Sequence, residues 1–287
     1  MRTLYESLLD DFEDIGKSLN PRQEVLQFLK DNYKSASKFK VSKKPNDDGL
    51  YEVDCSKIIM VYPKKKNIKT LTNDLFVFVN VNEFILIGCT DLKTLKGSPE
   101  EVKGDFYCSR CNGLTSLEGA SKKVHKSFVC DDCNGLTSLE GAPEECDCFY
   151  CRYCDNLVSL EGIKYVKNIF ICDKCINLTS LKYAPSPKED FTCNNCTSLI
   201  SLEGAPKKLH GKFACSTCTS LTSLKGAPKE VGGNFYCDGC INLTSLEGAP
   251  KKVGETFVCY PNFTEEDVRY YCDVKGQVKI IPRYNNI

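Results

Sequence analysis

The sequence has no long apolar run, no surplus of charge and almost no histidine. Its most apolar stretch, 75–79, is the length of a strand, whereas a membrane-crossing helix needs roughly 18 consecutive apolar residues. The chain is therefore expected to be soluble, with no membrane partner. Lysine plus arginine number 38, as do aspartate plus glutamate, so no global field draws the chain to nucleic acid. The first residues are acidic, at Glu6, Asp10, Asp11, Glu13 and Asp14. An export signal needs a basic start and an unbroken apolar run, so a cytoplasmic location is expected. The two histidines, His125 and His210, each follow a lysine pair by two residues and read as solvated turn residues. Without a histidine near a regularly placed acid, and without a glycine-rich phosphate loop, neither a nucleophilic triad nor a nucleotide site can be assembled. The chain is not expected to be an enzyme. The only room for an active site would be the N-terminal 80 residues, which show no motif.

What the chain has in quantity is cysteine, 20 residues, and a repeat. Phenylalanines recur every 21 or 22 positions, at Phe84, Phe106, Phe128, Phe149, Phe170, Phe191, Phe213, Phe235 and Phe257. In seven units cysteines follow two and five positions later, from Cys108 with Cys111 to Cys237 with Cys240. The first unit keeps only Cys89, with Leu86 in the other place, and the last keeps only Cys259. Two leucines come next, as Leu243 and Leu246, then a turn such as Gly248-Ala249-Pro250, then a charged pair and an aliphatic residue, as in Lys251-Lys252-Val253. A strict period of this length marks a solenoid, in which one coil cannot bury its apolar face alone and neighbours must stack. The expected fold is a mainly β repeat solenoid of parallel strands with 21- or 22-residue coils and a small helical N-terminal cap.

The run Phe235-x-Cys237-x-x-Cys240-x-x-Leu243 resembles the leucine-rich-repeat core. In that family two inward residues of a short strand precede an Asn or Cys that bonds the backbone of the neighbouring coil, and the resemblance implies this role for the second cysteine. It covers residues 84–259. The wording LTSLEGAPKKV also resembles repeat proteins common in bacteriophage genomes and in gut bacteria. Coil length is similar to that of short bacterial leucine-rich repeats ending in Leu-Pro. Some of those carry a ligase domain, but only 30 residues follow Phe257 here, so ubiquitin ligation is not implied.

Four segments are expected: a helical cap and linker, 1–50; a degenerate first coil, 51–83, in which Ile68 and Leu71 stand for the paired leucines; the solenoid, 84–260; and a C-terminal cap, 261–287. Thr3 with Glu6, and Asn20 before Pro21, predict helices over 3–16 and 21–34. The stretch 35–48, with lysines, Pro45 and paired aspartates, reads as a linker. Thr264 with Asp267 predicts a helix over 264–273, and 278–281 a strand.

Cys-x-x-Cys pairs 17 or 18 residues apart fall near zinc-ribbon spacing, which makes a zinc-binding structural or regulatory protein the sharpest alternative. A parallel stack would place the cysteines in two continuous columns, with no group of four set apart, so no metal or cofactor is expected. In a reducing compartment such thiols stay free and pack as small hydrophobes. Cys146 and Cys148 are extra to the pattern, in the irregular turn 144–149, and are the pair best placed for a local metal or redox site.

The residue between each phenylalanine and first cysteine should face outward, because strand side chains alternate. That column reads Tyr107, Val129, Tyr150, Ile171, Thr192, Ala214, Tyr236 and Val258, an apolar strip where solvent would favour polar residues. Strand propensity alone would also enrich these residue types. Beside it runs a polar rim, Ser109, Asp131, Arg152, Asp173, Asn194, Ser216 and Asp238. The lysine pairs 122–123, 207–208 and 251–252 form no continuous basic stripe, because Glu100-Glu101, Glu144-Glu145 and Lys188-Glu189 interrupt the same column. The expected function is a non-catalytic protein-interaction module using the sheet strip, with a protein partner or self-association, and plausibly phage-encoded on the strength of the resemblance.

Overall fold

The computed structural model describes residues 20–34 and 36–282. Strands of successive units lie side by side and parallel, so that Phe84 pairs with Phe106, Phe106 with Phe128, Phe128 with Phe149, and so on to Phe257. The result is a parallel-stranded β-solenoid of about ten turns. In-register stacking follows from the period, since one coil per unit puts each residue on its own equivalent about 4.8 Å away. All nine phenylalanines are fully buried, with neighbouring ring centroids 4.9 to 5.8 Å apart. Columns of cysteine and leucine complete the core. A further column precedes each phenylalanine, with Val102, Val124, Cys146, Val166, Leu209, Val231 and Val253 all buried.

Two backbone turns shape each coil. The residue before the second cysteine is left-handed throughout, at Arg110, Asp132, Tyr153, Lys174, Asn195, Thr217 and Gly239, which turns the chain off the strand and brings that cysteine inward. The second turn follows the paired leucines and demands glycine for two reasons. Gly119 has a φ of +85°, and a Cβ there would stand 2.3 Å from the Lys96 nitrogen of the coil beneath. Between Gly97 and Gly248 only Tyr183 breaks this rule, holding a φ of 69° where its neighbours Gly162 and Gly204 serve. The same coil carries Pro187, buried in the pre-phenylalanine column. Proline has no N–H to donate, and the edge ladder is interrupted there. It runs through strands Lys123–Val129, Glu145–Tyr150 and Tyr165–Ile171, then resumes as a separate four-stranded sheet from Lys208–Leu209 to Asp273–Val274.

The helix Pro21–Asn32 forms where Asn20 and Gln23 make a reciprocal capping box, and it ends two residues earlier than expected because Tyr33 turns extended. Val25 and Leu29 bury its inner face, Phe28 packs on Phe76, and the Tyr33 hydroxyl donates to the Leu71 carbonyl at 2.7 Å. Phe78 then meets Phe84 at 5.7 Å, so the cap continues the aromatic column instead of merely covering it. The helix expected over 3–16 lies outside the described residues. The stretch read as a linker, 35–48, contains the strand Lys40–Val41, antiparallel to Tyr51–Asp54, which in turn runs parallel to Phe76–Val79. The main ladder starts at Met60–Val61, where Val61 takes the phenylalanine position opposite Phe84. Ile68 and Leu71 are buried as the degenerate coil requires. At the other end the helix Glu265–Tyr271 has the Thr264–Asp267 capping box, and the strand Val278–Ile280 pairs in register with Phe257–Cys259, adding one more rung.

His125 lies on the strand Lys123–Val129, exposed and paired with Glu101, whereas His210 lies exposed in a turn. Tyr183→Gly should stabilise the fold. Holding the left-handed φ without a Cβ gains about 1–2 kcal/mol, and glycine's extra chain entropy takes back about 0.5–1 kcal/mol. Denaturant unfolding should show the difference, and a variant less stable than the parent would mean that the Tyr183 ring, seated by Lys182 at 4.7 Å, supports its coil.

Candidate functional site: the strand face and its cysteine backing

The cysteines are hydrogen-bond donors between coils. Each second cysteine points its thiol at a carbonyl of the preceding coil: Cys111 at Leu86 (3.0 Å), Cys133 at Cys108 (3.0 Å), Cys175 at Cys151 (3.0 Å) and Cys240 at Cys215 (3.2 Å). First cysteines point the opposite way, as Cys130 does at the Tyr150 carbonyl (3.4 Å) and Cys237 at that of Val258 (3.5 Å). Burial raises the thiols of Cys108, Cys130 and Cys151 well above their ordinary range, so the protonated, donating form is the one held. Among the described residues no group of three or more His, Cys, Asp or Glu is arranged to hold a metal ion.

Cys146 and Cys148 do not lie in an irregular turn. They belong to the strand Glu145–Tyr150, which is one residue shorter than its neighbour across a register shift. Cys146 takes the buried valine column between Val124 and Val166, and burial pushes its thiol up to about 12. Cys148 faces the sheet surface between Ser127 and Ile169, half-buried, and burial together with Asp147 raises its thiol as well.

In front of this core lies the strand face, less open than alternation predicts. Tyr107, Tyr150, Ile171 and Tyr236 are half-buried, while Val129 (9 %), Thr192 (3 %) and Val258 (6 %) are buried, as is Ala214. The cause is shadowing within the column. Val129 sits between Tyr107 and Tyr150, Thr192 between Ile171 and Ala214, and Val258 between Tyr236 and Lys279, so larger side chains, tyrosine rings or Ile171, cover smaller neighbours at strand spacing. The strip is a stepped surface with one low stretch at Thr192 and Ala214. Beside Ala214 the face opens into a depression of about 540 Å³ that follows the polar rim, walled by Tyr236 at one end and by Arg152, Tyr153 and Lys174 at the other. A second, of about 610 Å³, lies over Arg110, Asp131 and Arg152.

The polar rim is partly committed to the scaffold. Asp131 accepts the Arg152 backbone N–H at 2.7 Å and its guanidinium at 2.6 and 3.0 Å. Asp173 accepts the Asn194 N–H and Asn194 the Ser216 N–H, while Ser216 donates to Asp238 at 2.6 Å. The Asp131 carboxylate raises Arg152 further, and burial pushes the Tyr150 phenol up to about 12. Both therefore stay in their donor forms. The cationic wall of Arg152, Lys174 and Lys212 was not legible in the sequence, because these residues occupy different columns of different coils and meet only through the stack. Tyr153, left-handed and under Lys174 at 4.7 Å, was equally hidden.

Fold and face together define a parallel β-solenoid repeat protein, cysteine-rich, with a stepped aromatic strand surface. Comparison with family models, with curated proteins and with solved structures gives no match. Among the described residues no helix is long and apolar enough to cross a membrane.

Two expectations follow. Iodoacetamide at mild alkaline pH should label the native protein at Cys148 alone, slowly because its thiol is raised, and the remaining cysteines only after unfolding; intact mass will count the adducts. The Thr192 hydroxyl is buried with no hydrogen-bond partner. Thr192→Val should therefore raise the unfolding free energy by about 1 kcal/mol, read by denaturant titration.

Proposed function

We propose that the protein is a leucine-rich-repeat-like interaction module that binds a protein partner through its strand face, without catalysis of its own. The observation that carries this reading is the depression beside Ala214, where the Tyr236 ring meets a mixed charged rim of Arg152, Asp173, Lys174, Lys212 and Asp238. Aromatic anchors ringed by polar groups are the usual composition of a protein-binding hot spot. The raised Tyr107, Tyr150 and Cys148 groups supply hydrogen-bond donors and no poised base or nucleophile, which favours recognition over chemistry. The thiols serve the scaffold best in a reducing cytoplasm. The LTSLEGAPKKV wording, which resembles repeat proteins of bacteriophage and gut bacteria, supports a phage-encoded module with a host or virion protein as the partner.

Replacing Tyr107, Tyr150 and Tyr236 together by serine should leave the fold cooperative and weaken partner capture. With about 1 kcal/mol from each ring, the loss is about 3 kcal/mol, roughly 100-fold in affinity. A pull-down compares this variant with a control carrying Ile200→Ser and Ile241→Ser, exposed positions outside the strand columns. Proteins retained by the parent and the control but lost by the tyrosine variant support the strand face. Equal capture by all three would sink it. Sedimentation of the parent over a concentration series distinguishes a foreign partner from a second copy of the chain.

A further inference from the structure

The turn edge of the solenoid changes character along its length. In the N-terminal half the charges at one repeat position alternate from coil to coil, and each finds its neighbour: Lys122 bridges Glu100 at 2.7 Å and Lys164 bridges Glu144 at 2.9 Å. Beyond the coil of Pro187 the same position carries Lys207, Lys229 and Lys251. These three are true stack neighbours, because the Lys229 N–H donates to the Lys207 carbonyl and the Lys251 N–H to that of Lys229, both at 2.8 Å. The adjacent column still alternates, with Lys208 bridging Glu230 at 2.8 Å. Among the described residues none of the three ammonium groups forms an ion pair. Like charges placed opposite one another across adjacent strands destabilise a sheet, and the column's own precedent, Glu alternating with Lys, is the arrangement that would relieve it.

The three lysines edge a groove of about 930 Å³ whose floor is the stacked turn methyls of Ala205, Ala227 and Ala249. We propose that this groove binds an extended acidic peptide segment, with carboxylates held by Lys207, Lys229 and Lys251 and the peptide's apolar side lying on the alanine floor. The lining carries no aromatic ring on which a nucleobase could stack, and such stacking is the main sequence-independent support for a single nucleic-acid strand. Lysines about 4.8 Å apart on flexible stems adapt to carboxylates that an extended chain presents on one side. The surface is separate from the strand face, so the proposal stands independently of the function proposed above.

The test is fluorescence anisotropy with a labelled peptide of alternating glutamate and alanine. Labelled oligo-thymidylate and a lysine–alanine peptide serve as comparisons, in low-salt and high-salt buffer. The glutamate peptide should bind the full-length protein at low salt, weaken with salt, and outcompete the oligonucleotide. Lys229→Glu restores the alternation seen at Lys122 and Glu144. It should keep or raise the melting temperature while weakening the peptide roughly tenfold or more. Lys207→Gln with Lys251→Gln should weaken it similarly without reversing charge. No binding at low salt, tighter binding of the oligonucleotide, or unchanged affinity in both variants would each overturn the proposal.

Discussion

Everything in this molecule depends on like residues lying on like residues. A parallel coil that repeats in register puts each side chain about 4.8 Å from its own counterpart above and below, so a residue type is acceptable only if it tolerates itself as a neighbour. Phenylalanine does, through offset ring stacking. Leucine and valine do, through simple packing. Glycine is favoured at the second turn, held by every coil from Gly97 to Gly248 except that of Tyr183, because the backbone of one coil lies close to where the Cβ of the next would be. Charged residues tolerate themselves poorly, and at one position of the turn edge lysine is set against glutamate, Lys122 on Glu100 and Lys164 on Glu144.

Cysteine suits the same constraint in a less obvious way. The turn after each strand leaves a carbonyl facing the core, where an unpaired acceptor is costly. A thiol is small enough to stack and apolar enough to bury, and its weak donor satisfies the acceptor from the coil alongside. The left-handed residue before it is the conformational expense of bringing that thiol inward, borne by Arg110, Tyr153, Lys174 and Thr217 as well as by glycine. Metal-like spacing and ladder-like geometry therefore coincide in the sequence, and the direction of the thiols separates them.

One coil stands apart. Pro187 interrupts the edge ladder and Tyr183 occupies a glycine turn, and both fall within the stretch from Phe170 to Asp190. On one side of this seam the column of Glu100, Lys122, Glu144 and Lys164 is ion-paired, and on the other the same column carries the unpaired Lys207, Lys229 and Lys251. The depression beside the strand face crosses this seam, lined from Arg152 and Asp173 on one side to Ser216, Tyr236 and Asp238 on the other. The lysine column begins just beyond it.

The period, the columns of phenylalanine, cysteine, leucine and aliphatic residues, and the helices after Asn20 and Thr264 were legible in the sequence, because stacking converts a one-dimensional repeat directly into contacts between units and capping boxes are local. The second cysteine's bond to the neighbouring coil was legible only through resemblance. Exposure was not legible. Alternation assigns Thr192, Val129 and Val258 to the outside, yet the rings of Tyr107, Tyr150 and Tyr236 and the side chain of Ile171 lie over them from adjacent coils. Nor was the place of Cys146, since a one-residue difference in coil length shifts register and slips it into a valine column. A linear pattern determines which residues share a column, and so determined the fold. Which members of a column remain open, which charges find partners, and where neighbouring columns converge depend on the sizes and reach of side chains one coil away, and only the tertiary structure decided them.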